Sequence, residues 1–460
     1  MTNFWDSNVW GPILLFGIVL ASLFGGNILK KAFPFLKRSL IPTSVIGGTI
    51  LIVIAAIYKA ITGNVMFDTA VFAYKGTEYL EIITYHSLAI GFIASALTSN
   101  NKKMSKQRTT EIFNTGVTTV STYLIQGIVG MGITIIAALC LGEFFKAAGL
   151  LLPFGFGQGT GQAMNYGNIY EVDFGFTGGK SFGLTIAALG FLTAAFGGVI
   201  HLNVLKKRGK LHLSNHTHRV SADEVEGENE PPMQDSVDKM SIQMAFVFGT
   251  YGLAYLVMML LGNLLPGMKA TIYGFNFLLG VLMATLVKAM LKLFRKIKWV
   301  RRNHTNNFLL TRISNFFFDL MIITGIAAIR LDALEDYWGI AIILGVAGFI
   351  VTYVYNRIVA KALFKHYQEE QFMAMYGMLT GTASTGIILL REIDEDFKTP
   401  AADNLVYQNF PAIAFGFPLM LIATFAPKQP YIALAILAGM FIVLNIILFR
   451  SFIFKRRKKK

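Results

Sequence analysis

Apolar residues recur along the chain in runs of about twenty, and polar residues gather in the short intervals between them. A helix needs about 20 apolar residues to cross the hydrocarbon core of a bilayer. By that measure the first part of the sequence predicts spans near Val9–Leu29, Leu40–Ile61, Tyr79–Leu97, Thr115–Leu141 and Ser181–Leu202. After a polar interval come Ile242–Gly262, Ile272–Leu291, Phe308–Arg330, Trp338–Ala360, Asn404–Phe425 and Tyr431–Phe452, giving about eleven spans in all. The expected fold is an all-α integral membrane protein.

Lys and Arg sit in the polar intervals, and their distribution sets a direction. Lys30, Lys31, Lys37 and Arg38 place the first interval inside, Thr62–Glu78 is poor in basic residues, and Lys102, Lys103, Lys106 and Arg108 place the third inside. The clusters at Lys206–Lys210, Lys292–Arg302 and Lys455–Lys460 fall inside by the same alternation. One path, with the N-terminus outside and the C-terminus cytoplasmic, satisfies every cluster. The first apolar run follows an acidic, Lys-free start, the reverse of a secretory leader.

Composition agrees. Of 460 residues 54% are hydrophobic and only 15% charged, and 41 Lys+Arg against 26 Asp+Glu give a net charge of +15. A mean hydropathy of +0.55 excludes a disordered chain and argues against a soluble enzyme. Nucleic-acid binders concentrate basic charge on one polar face, whereas here it is divided among short clusters. Cys140 is the only cysteine, so neither an intramolecular disulfide nor a cysteine-based metal site can form.

Two regions fail the span test in the same way. Gly149–Tyr170 and Gln371–Arg391 each carry a short apolar run, a Gly/Thr-rich centre and a second short run. Glycine costs a helix about 1 kcal/mol relative to alanine, so each region predicts a re-entrant hairpin: half-helix, unwound tip, half-helix. One follows the fourth span and the other the ninth, so they enter from opposite sides. The chain then divides into a first membrane repeat (residues 1–205, hairpin about 149–170), a cytoplasmic linker (206–240) and a second repeat of inverted topology (241–428, hairpin about 371–391). An extra transmembrane helix and basic tail (429–460) follow. Paired broken segments in inverted repeats form the binding sites of secondary transporters.

The tip chemistry suits an anion. Free N–H groups at the start of each second half-helix and the helix dipole favour a carboxylate. Thr160, Thr382, Ser384 and Thr385 add hydroxyls, Gln158 and Gln162 add amides, and Gly159, Gly161, Gly381 and Ala383 let a ligand approach the backbone. Carbonyls freed by the unwound tips suit a hard cation such as Na⁺. Glycine also gathers where membrane helices pack closely; its recurrence at two equivalent positions of opposite topology favours the site.

These segments resemble the bacterial sodium/glutamate symporters. The likeness rests on Gly155-Phe156-Gly157-Gln158-Gly159-Thr160-Gly161-Gln162-Ala163, on Gly175-Phe176-Thr177, on Gly377–Gly386 and on the two-halves layout. It implies a divergent, larger member of that family: a homodimer of the bacterial inner membrane with two inverted halves. It implies Na⁺-coupled uptake of glutamate by an elevator-like motion, with Na⁺ as coupling ion and no cofactor.

Polar residues inside spans add candidates. Ser314, Asn315 and Asp319 lie mid-span, with 315 and 319 on one helix face, and an intramembrane acid is by default functional; they are the candidate cation ligands. A structural pairing of Asp319 is the alternative. Gln126, with Thr118, Thr119, Ser121 and Thr122, gives the fourth span a polar face that is either cavity lining or helix–helix glue. His86 reads as a packed residue, Lys180 and Arg391 as interfacial anchors, and Asp394, Glu395 and Asp396 as solvated. His212, His216 and His218 in the linker make a weak metal candidate.

An enzyme finds no support: the chain has no nucleophile elbow, HExxH, P-loop or CxxC. An ion channel, or a proton-coupled carrier of another dicarboxylate, would use nearly the same tips. A sensor would need an output domain that the linker is too short and polar to form.

Overall fold

Glycines of positive φ end three of the helices, at Gly63, Gly142 and Gly175. The computed structural model describes residues 3–38, 41–98, 105–142, 144–209, 237–266, 269–274, 276–298, 302–331, 337–394 and 398–453. Secondary structure among these residues is helical throughout. The principal helices are α1 (Ser7–Ala32), α2 (Thr43–Thr62), α3 (Gly76–Leu97), α4 (Lys106–Leu141), α5 (Leu151–Phe174) and α6 (Gly179–Lys207). They continue with α7 (Lys239–Leu264), α8 (Asn276–Lys296), α9 (Asn307–Ala327), α10 (Trp338–Leu363), α11 (Gln368–Thr380) and α12 (Ala383–Arg391). The last are α13 (Ala401–Tyr407), α14 (Asn409–Phe425) and α15 (Pro430–Leu448).

Ten helices among the described residues are long and apolar enough to cross a membrane, and they coincide with every predicted span save one. The exception is Asn404–Phe425, which is broken at Gln408, leaving only Pro411–Phe425 as a shorter apolar helix. Pro411 has no N–H for the carbonyl of residue 407. Two amides also pull the break inward: Asn404 Nδ2 donates to Gln371 Oε1 at 2.8 Å, and Gln408 is buried. Boundaries shift elsewhere for local reasons. Helix α4 starts nine residues before its apolar run, because Ser105 caps it by accepting from Arg108 N at 3.2 Å and Arg108 pairs with Glu111 at 2.7 Å.

The chain divides into two compact units, each gathered from three stretches. The first comprises residues 1–20, 67–103 and 216–325. In it α3, α7, α8 and α9 close on an apolar core of Ile90, Ile93, Ala94, Leu97, Val247, Ala284, Leu310 and Ile313. Buried hydroxyls join helices within it: Thr84 Oγ1 and Thr324 Oγ1 lie 2.8 Å apart, and Ser314 Oγ donates to Gly91 O at 2.9 Å. The second unit comprises residues 21–66, 104–215 and 326–460, and holds both predicted hairpins. There α4 packs against α10, α14 and α15, and α5 against α6.

Asp394, expected in solvent, is buried. Its Oδ1 accepts from Lys398 N at 2.8 Å and its Oδ2 from Thr399 N at 2.9 Å, so it closes the turn that follows α12. Glu395, Asp396, most of the linker and its three histidines lie outside the described residues.

Candidate functional site

Helix α5 is broken at Gly159, whose φ of +80° and ψ of −173° no helix allows. That left-handed φ is one glycine adopts without steric cost. The chain doubles back there: the rings of Phe154 and Tyr166 stack 4.0 Å apart and 3° from parallel. Twelve residues of continuous helix would separate them by about 18 Å. The second break lies at Gly381, between α11 and α12. Here too the two arms touch: a Cβ on Gly386 would lie 2.4 Å from the carbonyl oxygen of Ala374, so only glycine fits that crossing.

The two breaks meet on α4. Tyr123 Oη donates to Gly157 O at 3.0 Å, just before the first break. Gln126 Nε2 donates to Leu379 O at 3.0 Å, just before the second, and to Thr352 Oγ1 of α10 at 2.8 Å. Residues 123 and 126 are three apart on one helix face. Helix α6 gives the same answer: a Cβ on Gly190 would lie 2.6 Å from Thr380 O and 3.2 Å from the Phe156 ring. The polar face predicted on α4 is therefore buried between both broken helices and α10.

Of the predicted tip residues, Gly159, Thr160, Gly161, Gln162, Gly381 and Thr385 are buried, Gln158 and Thr382 half-buried and Ala383 exposed. The Ser384 side chain lies outside the described residues. Thr382 caps α12, its Oγ1 accepting from Thr385 N at 3.5 Å. Gln162 is fully buried; its Oε1 accepts from Asn165 Nδ2 at 3.4 Å, and its Nε2 has no protein partner among the described residues. Gln126 Oε1, Asn356 Oδ1, Asn404 Oδ1 and Gln408 Oε1 are likewise buried without partners. Buried polar groups in native proteins are nearly always bonded, and orphans ask for an explanation.

A second polar cluster holds the start of α11. Arg357 grips Glu369 through both guanidinium nitrogens, at 2.6 and 2.7 Å, and Glu369 Oε2 lies 2.9 Å from His201 Nε2. His201 Nδ1 is 3.0 Å from Tyr353 Oη. On the other side Tyr367 Oη donates to Glu111 at 2.8 Å. Sequence reasoning found Gln126 but missed Tyr123, Gly190, Asn356 and this clasp. Tyr123 lies within the polar stretch Thr118–Gln126, a signal that was available; His201 and Glu369, far apart in sequence, offered none.

The predicted cation residues Ser314, Asn315 and Asp319 belong to the first unit, whereas both tips belong to the second. Ser314 is buried on Gly91, Asn315 is exposed and Asp319 half-buried. No group of three or more His, Cys, Asp or Glu side chains suited to a metal ion occurs among the described residues.

None of the curated proteins compared matches the chain. The family comparison does: residues 13–399 match the sodium/glutamate symporter family, across both broken helices and nine of the eleven predicted spans. The chain therefore belongs to the sodium/glutamate symporter family, and is a multi-pass membrane transporter, not an enzyme.

Proposed function

We propose that the protein carries glutamate, or a closely related small carboxylate, into the cell together with Na⁺, and that both broken helices supply the binding site. The observation that carries this reading is the pair of hydrogen bonds from one face of α4: Tyr123 to Gly157 O and Gln126 to Leu379 O. They hold the two breaks side by side, with Gln162 Nε2, which has no partner among the described residues, beside the first. The half-helix that follows each break presents free N–H groups to a carboxylate. Gln158, Thr160, Thr382, Ser384 and Thr385 supply the polar contacts, and Gly159, Gly161, Gly381 and Ala383 the room.

In this reading the two broken helices are re-entrant hairpins, one in each of two inverted repeats (residues 1–205 and 241–428), separated by the linker 206–240 and followed by an extra helix at 429–460. Na⁺ binds oxygens: carbonyls freed at the breaks, the amide oxygens of Gln126 and Asn356, which have no partner among the described residues, or Asp319 with Ser314 and Asn315. The transporter is a homodimer of the bacterial inner membrane, N-terminus outside and C-terminus cytoplasmic. The grouping of the chain into two compact units suits an elevator in which one carries substrate.

The test is uptake into proteoliposomes under an imposed Na⁺ gradient, screened over acidic amino acids and dicarboxylates. Concentrative glutamate uptake that collapses with the Na⁺ gradient is expected. Uptake driven by a pH gradient alone refutes the coupling ion, and non-saturable downhill flux makes the protein a channel. For topology, Cys140, which is exposed, is first replaced by alanine. An impermeant reagent should then label Val225→Cys only in permeabilised cells; labelling in intact cells overturns the orientation.

A further inference from the structure

The end of α8 carries two stripes. Leu286, Met290, Leu293 and Ile297 recur at helical spacing and are all 45–60% exposed. Around the helix from them Lys288, Lys292, Arg295 and Lys296 form a basic stripe. Lys288 Nζ donates to Ala96 O at 3.0 Å and to Thr98 O at 2.6 Å, which ties the helix to the end of α3. Beyond that tie Lys292, Lys296, Lys298 and Arg302 are exposed, and Arg295 Nη1 donates to Asn303 Oδ1 at 3.4 Å. The loop beyond is held in place: Gln243 Nε2 donates to His304 O at 2.8 Å and Gln243 Oε1 accepts from Asn306 N at 3.0 Å.

Among the described residues this charge has no ion-pair partner. No described ion pair engages Lys292, Arg295, Lys296, Lys298 or Arg302. The sequence holds no Asp or Glu between Asp238 and Asp319. Orientation in the membrane requires basic residues in an interval. Here the bilayer-facing apolar stripe runs on to Leu293 and Ile297, onto the same turns as Lys292 and Lys296. A helix end with both is the chemistry that takes a phospholipid: acyl chains along the apolar stripe and phosphate on the basic one.

We propose that the last turns of α8 bind an anionic phospholipid, its headgroup held by Lys292, Lys296 and Lys298 with Arg295 beside them, and its chains along Leu286–Ile297. Each Lys near an anionic membrane surface contributes roughly fivefold in binding. Replacing three predicts a loss on the order of a hundredfold.

The experiment uses the full chain in a neutral detergent, with phosphatidylglycerol as the probe and phosphatidylcholine as its neutral counterpart. Bound lipid is counted by native mass spectrometry. Wild type should retain phosphatidylglycerol over phosphatidylcholine, and added salt should weaken that preference. The triple variant Lys292→Gln, Lys296→Gln, Lys298→Gln should lose it. The equally charged control Lys206→Gln, Lys207→Gln, Arg208→Gln should keep it. Ile297→Ser, with every charge intact, should weaken retention yet keep its salt dependence, so the proposal does not hang on one variant. Equal losses in both triple variants would mean diffuse charge and overturn the site. So would displacement by glycerol phosphate at equal concentration, which would make the ligand a free anion. Binding that emerges only when Asp223, Glu224, Glu226, Glu228, Glu230 and Asp235 are neutralised would make the linker the occupant, and would equally reject the lipid.

Discussion

Gln162 separates a binding role from a packing role because the two predict opposite signs. Its side chain is fully buried and its Nε2 has no partner among the described residues, while its Oε1 accepts one long bond of 3.4 Å from Asn165. An unsatisfied buried donor costs about 1–3 kcal/mol. Gln162→Met removes that cost and forfeits about 0.5–1 kcal/mol for the long bond. The ligand-free protein should therefore melt at the same temperature or higher, with a gain of up to about 2 kcal/mol. With a carboxylate bound, the same change deletes a charge-assisted hydrogen bond of about 1.5–3 kcal/mol, roughly a 10- to 150-fold loss of affinity. Melting temperature without substrate, and equilibrium binding of labelled glutamate, are measured on the same purified protein. A lower melting temperature with affinity unchanged would refute the reasoning and make Gln162 a structural residue.

Both tip threonines should matter for binding. Thr160→Val is expected to weaken substrate or Na⁺ affinity by about one to two orders of magnitude. Thr382→Val should also lower stability, by about 1 kcal/mol, because Thr382 caps α12; binding that responds at only one tip would end the shared site. The clasp at α11 predicts a pH effect. Burial alone would raise the Glu369 carboxyl, but the hydrogen bonds and charge of His201 and Arg357 outweigh it and hold it at about 2. A carboxyl depressed below its usual 4.5 stabilises fully above that pH, and its contribution is lost as pH falls from there towards 2. Melting temperature should drop through this window in wild type and less in Glu369→Gln. Arg357→Gln should cost about 3 kcal/mol at neutral pH, since it strands a largely buried carboxylate; wild-type stability in that variant would show the clasp to be idle.

Span positions were legible because twenty apolar residues have few other uses, and only the Asn404–Phe425 span, where amides and Pro411 intervene, broke the rule. The breaks at Gly159 and Gly381 were legible too, since clustered glycines mark where helix fails. What the sequence could not convey is which polar atoms meet. Tyr123 and Gln126 take carbonyls 34 and 253 residues away, and no periodicity encodes such a pairing. Asp394 shows the converse failure: a run of acids reads as solvated, but the carboxylate that closes a turn is drawn inside by two backbone N–H groups.

The reach of the α4 and α6 contacts bears on how the protein is made. Glu111, Gln126 and His201 all find partners between residues 352 and 379. A ribosome releases the earlier residues long before the later ones exist. Glu111 keeps Arg108 and Gln107 of its own helix, but during that delay a buried histidine and a buried amide stand without these partners in an apolar surrounding, where an unmet polar group is costly. The first five helices inserted are thus a provisional assembly that needs water or an insertase to shelter it. Expressed as two polypeptides cut in the linker, the early half should be degraded alone and rescued when the late half is made in the same cell.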